Sequence, residues 1–129
     1  PYLIILFFLI FFWEIGGQNV PNDWIDIDED VRFGARTVPI RLGIEEANVI
    51  IFGSIILTII LSGIMLILSP VSFELPFIIA FAFVGFYFLL IPTIKLYQSE
   101  ESSHALILFN KASYYPLALL AVIVVKLII

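Results

Sequence analysis

No cysteine occurs in the 129 residues, so disulfides and thiolate metal sites are excluded and the redox compartment leaves no trace. Charge is scarce too: 13% of the residues are charged, whereas soluble domains carry about a quarter. Six residues are Lys or Arg and one is His. They form no basic stripe along which phosphates could be neutralised, which argues against nucleic acid as a partner. No alternating apolar and polar pattern runs through the chain, so the signature of a transmembrane β-barrel is missing as well. What is present instead is hydrocarbon. Apolar residues make up 62% of the chain and the mean hydropathy is +1.15, which names lipid as the solvent. The net charge of −5 is concentrated, because most of the acids lie between Glu14 and Glu46.

Four apolar segments stand out, at residues 1–13, 47–68, 76–94 and 105–129. A bilayer crossing needs about 20 residues, which the second and third segments approach. The first is shorter and has neither a charged start nor a small-residue cleavage site, so it does not read as a signal peptide. It reads as the end of a transmembrane helix from a longer protein, with a re-entrant segment as the alternative. The fourth is interrupted by Asn110 and Lys111, and reads as one helix that starts in the interface with Lys111 snorkelling. Backbone groups in lipid must be bonded within their own segment, so the spans are expected to be helices. The expected fold is all-α, a multi-pass transmembrane bundle of about four helices at roughly 20 residues each. Gly53 and Gly63 are expected at close helix contacts. Glu45 and Glu46 suit the positive end of the second helix. Glu14 and His104 read as interfacial or surface residues, and Tyr114 and Tyr115 as anchors in the interface. Gly16-Gly17-Gln18 fits either a hinge or a close approach to a ligand.

The connections at 69–75 and 97–104 are short, whereas 14–46 is long and polar. Arg32, Arg36, Arg41 and Lys95 fall on its side of the membrane and Lys126 on the other, which places this loop in the cytoplasm. Within it, Asn19, Asn22, Asp26 and Asp30 follow one another at helical steps, so a helix would stack them on one face. Pro21 suits the first turn of such a helix. Asp23 is one step off the stripe, and Asp28 and Glu29 flank it. Carboxylates stacked in this way repel unless a divalent cation joins them. Magnesium takes one or two carboxylates together with waters and substrate phosphates. A calcium loop starting at Asp26 fails, because Val31 stands where Gly is needed and Thr37 where Glu is needed. A solvated acidic loop is the plain alternative.

The acids are followed by GARTVPIRLG, residues 34–43. The whole block, with Asn22, Asp23, Asp26 and Asp30 ahead of Gly34, Arg36, Thr37, Pro39 and Gly43, resembles the second aspartate-rich region of the UbiA prenyltransferase superfamily. The resemblance runs on through the following apolar segments. It implies the C-terminal part, over residues 1–129, of a bundle of nine transmembrane helices, with another aspartate-rich motif upstream of Pro1. It also implies prenyl transfer from a prenyl diphosphate to an electron-rich acceptor, aromatic or otherwise lipophilic, beside membrane lipid. By the same resemblance Asp26 and Asp30 would hold Mg2+, and Arg36 would face the diphosphate with Asn22 and Asp23 near it. The isolated piece is expected to be inactive. A membrane transporter or a cation-binding subunit is the competing class.

Overall fold

The computed structural model describes residues 2–129, and every regular element among them is helical. Four helices are long and apolar enough to cross a membrane: Tyr2–Ile25 (span 1), Ile44–Leu68 (span 2), Leu75–Ser99 (span 3) and Ser102–Ile128 (span 4). The short helices Ile27–Arg32 and Val38–Leu42 join the first two spans. The expected membrane bundle is therefore what the chain forms.

Span 1 reaches well past the apolar run that marks it in the sequence. The helix continues through Glu14 to Ile25, and of the expected loop at 14–46 only residues 33–37, Gly43 and a turn at Asp26 lie outside helices. Pro21 does not open a new helix. Its ring lacks an N–H and crowds the carbonyl four residues back, that of Gly17. The chain absorbs this by widening one turn over Glu14–Asn19, where the Val20 N–H bonds to the Ile15 carbonyl five residues earlier. The Gly17 carbonyl, left without its usual partner, accepts from Gln18 Nε2 at 2.7 Å. Span 3 repeats the device. Phe86–Leu90 form a wide turn closed by Ile91 N–H to the Phe86 carbonyl, and Pro92 follows two residues later.

Span 4 packs against spans 1 and 3, span 2 packs against the same two, and spans 2 and 4 meet through the Ser62 and Tyr115 hydroxyls. Ile51 and Ile55 of span 2, Leu89 and Leu96 of span 3, and Leu108 and Ala112 of span 4 are buried in the core, with Trp24 of span 1. Large apolar side chains elsewhere, such as Phe7, Ile67 and Leu117, are exposed, as expected of helices with lipid for solvent. Helix association in lipid rests on close contact of small residues more than on water exclusion. A Cβ on Gly16 would stand 2.8 Å from Ser54 Cβ, and one on Gly17 would stand 2.8 Å from Ala112 Cβ. Gly16-Gly17 thus brings span 1 against spans 2 and 4, not against a ligand. Gly53 and Gly63, expected at such contacts, are exposed, and a Cβ on either would meet nothing within 4 Å.

Polar residues depart from the sequence reading in two further places. The Lys111 ammonium lies 4.3 Å from the centroid of the Tyr87 ring, a cation–π contact within the bundle rather than a free snorkel. His104 is partly buried, and its Nδ1 is enclosed without a hydrogen-bond partner. Glu14 begins the wide turn, eleven residues before Ile25, and is exposed. Glu45 and Glu46 do occupy the first turn of span 2.

Candidate active site

The acidic face begins in span 1 and crosses the turn at Asp26. Asp26 N–H donates to the Asn22 carbonyl at 3.2 Å, and Asp30 N–H donates to the Asp26 carbonyl at 2.8 Å. These two successive steps of four residues carry the stripe Asn22, Asp26, Asp30 through the φ −94°, ψ 13° turn with its register kept. The opposite face explains the orientation. Val20, Pro21 and Trp24 are buried against the bundle, so the acids are turned away from it. Asp23, Asp26 and Asp30 are half-buried, while Asn22, Asp28 and Glu29 are exposed. Asp23 is closer to the stripe than its one-residue offset suggests. Burial aside, the groups acting on its carboxyl are Asp30 and Asp26. Steps of three and four residues from Asp23 to Asp26 to Asp30 also keep one helical face, and three carboxylates share it.

The turn that carries Arg36 is tied to the same face. The helix Ile27–Arg32 ends in a Schellman motif: Gly34 has φ +71°, its N–H donates to the Val31 carbonyl at 3.2 Å, and Ala35 N–H donates to the Asp30 carbonyl at 2.9 Å. A residue without Cβ is favoured at that φ. Asp30 therefore contributes its side chain to the acidic face and its carbonyl to the turn one residue before Arg36. Arg36 itself is exposed. Thr37 follows in extended conformation, and its hydroxyl oxygen is enclosed without a partner.

Hard carboxylate oxygens of this kind fit magnesium. No three His, Cys, Asp or Glu side chains among the described residues converge as a closed metal cage. One or two carboxylates plus waters and phosphate oxygens are what magnesium takes in substrate complexes. Asp26 and Asp30 are the residues that would hold it.

The sequence reading missed how span 1 is locked. Trp13 Nε1 donates to the Ala112 carbonyl at 3.0 Å, and Gln18 Nε2 donates also to the Phe109 carbonyl at 3.2 Å. The Ser113 hydroxyl lies 3.2 Å from Gln18 Oε1. A Trp and a Gln beside a glycine pair were the available signal. Deeper in the bundle, the Ser62 and Tyr115 hydroxyls lie 2.6 Å apart. They border an apolar cavity of about 220 Å3 between spans 2, 3 and 4, and Ser62 also borders one of about 200 Å3 that reaches Leu9 of span 1. At the end of the bundle away from the acids, Lys126 Nζ meets both carboxylate oxygens of Glu74 at 2.6 Å. That bond holds the Glu74 carboxyl below its ordinary range.

No curated protein and no solved structure matches the chain. The sequence model of the UbiA prenyltransferase family matches residues 1–124, nearly the whole of it. A helical membrane bundle with a carboxylate face at one end of its spans is thus matched by the family assignment, and the chain belongs to the UbiA prenyltransferase family.

Proposed function

We propose that this chain carries the diphosphate-binding half of a prenyl transfer site, with Asp26 and Asp30 as Mg2+ ligands and Arg36 on the diphosphate. The observation that carries the reading is the shared construction of Asp30 and Arg36, joined through the Ala35 N–H to Asp30 carbonyl bond. Asp23 adds charge to the same face, and Asn22 offers an amide beside it. The unpartnered Thr37 hydroxyl is a further donor for a diphosphate oxygen.

In this reading the C1–O bond of the prenyl diphosphate breaks and its electron pair leaves with the diphosphate. Bound magnesium would neutralise the diphosphate charge that develops. Arg36 would do the same from the turn, through a planar fork that matches two phosphate oxygens. The acceptor's electron-rich atom forms the new bond to C1 and releases a proton. The apolar cavities beside Ser62 and Leu9 suit the isoprenoid tail, and a dry surround keeps water from the allylic cation. The acidic face is assigned to the cytoplasmic side, on the strength of Arg32, Arg36, Arg41 and Lys95 at that end of the spans.

The test is binding of a radiolabelled prenyl diphosphate to the full protein in proteoliposomes, with and without magnesium. Wild type should bind only with the metal, and Asp26→Asn and Asp30→Asn should each lose that binding. Wild-type binding by both variants would return the face to a solvated acidic surface. The competing reading, a transporter or cation-binding subunit, predicts magnesium binding that prenyl diphosphate does not strengthen.

A further inference from the structure

The polar face does not stop at the acids. It continues down span 1, and the wide turn is what keeps it in line. In an unbroken α-helix the side chains would fall out of phase over the twelve residues from Glu14 to Asp26. The turn at Glu14–Asn19 replaces one step of four residues with one of five, shown by the Val20 N–H to Ile15 carbonyl bond. Advancing five residues from Glu14 reaches Asn19, three more reach Asn22, and two steps of four reach Asp26 and Asp30. Burial follows the same division. Glu14, Asn19 and Asn22 are exposed and Asp23, Asp26 and Asp30 half-buried, while Gly16, Gly17, Val20, Pro21 and Trp24 are buried. One face of span 1 is packed against the bundle, and the other carries every acid of the helix.

Glu14 is the odd member of this row. It lies within a helix long and apolar enough to cross a membrane, yet it has no hydrogen bond or ion pair among the described residues. An ionisable side chain inside a span is costly unless it faces a partner or a polar cavity. At about 1.5 Å per residue its backbone lies roughly 18 Å from that of Asp26. That is comparable to the combined reach of a carboxylate, a diphosphate and one aromatic ring laid end to end. Gln18, by contrast, is turned aside onto the Gly17 and Phe109 carbonyls, which leaves Glu14 and Asn19 as the free polar groups of this stretch.

We propose that Glu14 is a catalytic residue that receives the hydroxyl group of the acceptor, with Asn19 beside it, so that the acceptor is a phenol whose ring spans from Glu14 to the diphosphate. The proposal rests on the diphosphate site described above and extends it toward the membrane interior. The acceptor O–H bond breaks toward a Glu14 carboxylate oxygen as the prenyl C1–O bond breaks toward the diphosphate. The electrons of the acceptor, from a ring carbon conjugated with that oxygen, form the new bond to C1. The ring carbon then gives up its own hydrogen as a proton to the departed diphosphate, and the proton on Glu14 returns to the ring oxygen. General-base assistance of this kind is worth on the order of 10²- to 10⁴-fold in rate.

The experiment compares Glu14→Gln, Glu14→Asp and Asp26→Asn in the full protein, in membranes of the producing organism from which the wild-type gene has been deleted. Those membranes carry the natural acceptor. Two quantities are read: magnesium-dependent binding of radiolabelled geranylgeranyl or geranyl diphosphate, and transfer of the label into organic-extractable product. Glu14→Gln should bind prenyl diphosphate like wild type and lose transfer by 10²-fold or more, and Glu14→Asp should recover part of it. Asp26→Asn should lose binding. If Asp26→Asn loses binding while Glu14→Gln transfers at the wild-type rate, the role of Glu14 is overturned and the diphosphate site stands. If Glu14→Gln loses binding as well, Glu14 serves the fold or the diphosphate, and the proposal is again overturned. If Asp26→Asn binds normally, the diphosphate site itself is wrong.

Discussion

Spans 1 and 3 solve the same problem and put the solution to different ends. Each contains a proline inside a membrane helix, at Pro21 and Pro92, and each widens the turn just before it. In span 3 the wide turn is aromatic and apolar, Phe86–Leu90, and Pro92 and Thr93 behind it are buried. The Thr93 hydroxyl donates to the Leu89 carbonyl at 2.6 Å, so this polar side chain is satisfied within its own helix. In span 1 the wide turn holds two glycines and Gln18, and the Gln18 amide reaches across to span 4 through the Phe109 carbonyl. Beyond it come Asp23 and Asp26, whereas beyond Pro92 come Lys95 and Tyr97. A wide turn therefore does not mark a site by itself. In span 1 the residues carried past it share a face, and a neighbouring helix fixes that face.

The largest expected effect separates the two ends outright. Asp26→Asn or Asp30→Asn should lower prenyl transfer by roughly 10²- to 10³-fold, the scale of losing one charge-stabilising group in a site. Lys95→Ala, three residues after the span 3 proline and exposed, should leave the rate within about twofold, since surface changes are usually near-neutral. Arg36→Ala should fall between, with Arg36→Lys milder because a point charge replaces only part of the fork. Equal losses at Lys95 and Asp26, measured under saturating magnesium, would erase the distinction.

A smaller effect tests the seat of span 1. Gly17→Ala places a methyl 2.8 Å from Ala112 Cβ, and overpacking of this kind costs about 1–3 kcal/mol. Ala112→Gly in the same protein should restore most of it, as read by unfolding in detergent. Gly63→Ala, with open space at its Cβ, should be neutral. Failure of Ala112→Gly to rescue would mean that the contact is not what holds the two helices.

Smaller still is the coupling between Gln18 and Pro21. Gln18→Met removes the donor to the Gly17 and Phe109 carbonyls and the acceptor for Ser113, at a cost of about 0.5–1.5 kcal/mol for each hydrogen bond lost. With Pro21→Ala a backbone N–H becomes available to the Gly17 carbonyl, so the same Gln18→Met change should cost less. A double-mutant cycle reads the difference, and additive costs would separate Gln18 from the proline.

The smallest effect lies at the opposite end. The Lys126 hydrogen bond keeps the Glu74 carboxyl below its ordinary value of 4.5. A lowered folded value means that the pair helps above the unfolded value and stops helping as pH falls through the folded one. Wild type and Glu74→Gln should therefore differ slightly near neutral pH and converge in acid, the gap shrinking with salt because the carboxylate is exposed. A gap that widens in acid would reverse the sign of the argument.

The family motif was legible because it is local: Asn22, Asp26 and Asp30 recur at helical steps, and Gly34, Arg36 and Gly43 follow in order. The four spans were legible because lipid selects apolar runs, although the run ending at Trp13 understated the first by twelve residues. Polar residues continue that helix unannounced, since Gln18 and Trp13 find carbonyls on span 4 that no reading of span 1 contains. Gly16-Gly17 and Gly53 carry the same letter, yet only the first pair touches a neighbour, because packing depends on which face another helix covers. Asp23 illustrates the point at the site, one residue off the stripe in sequence and within the field of both its neighbours in space. The amino-acid sequence alone thus determined the solvent, the helices and the order of the chemical groups, all of which follow from composition and local spacing. The tertiary structure decided the phase of those groups along span 1, because Gln18, the side chain that bonds the carbonyl freed by Pro21, is itself held by the Phe109 carbonyl of span 4.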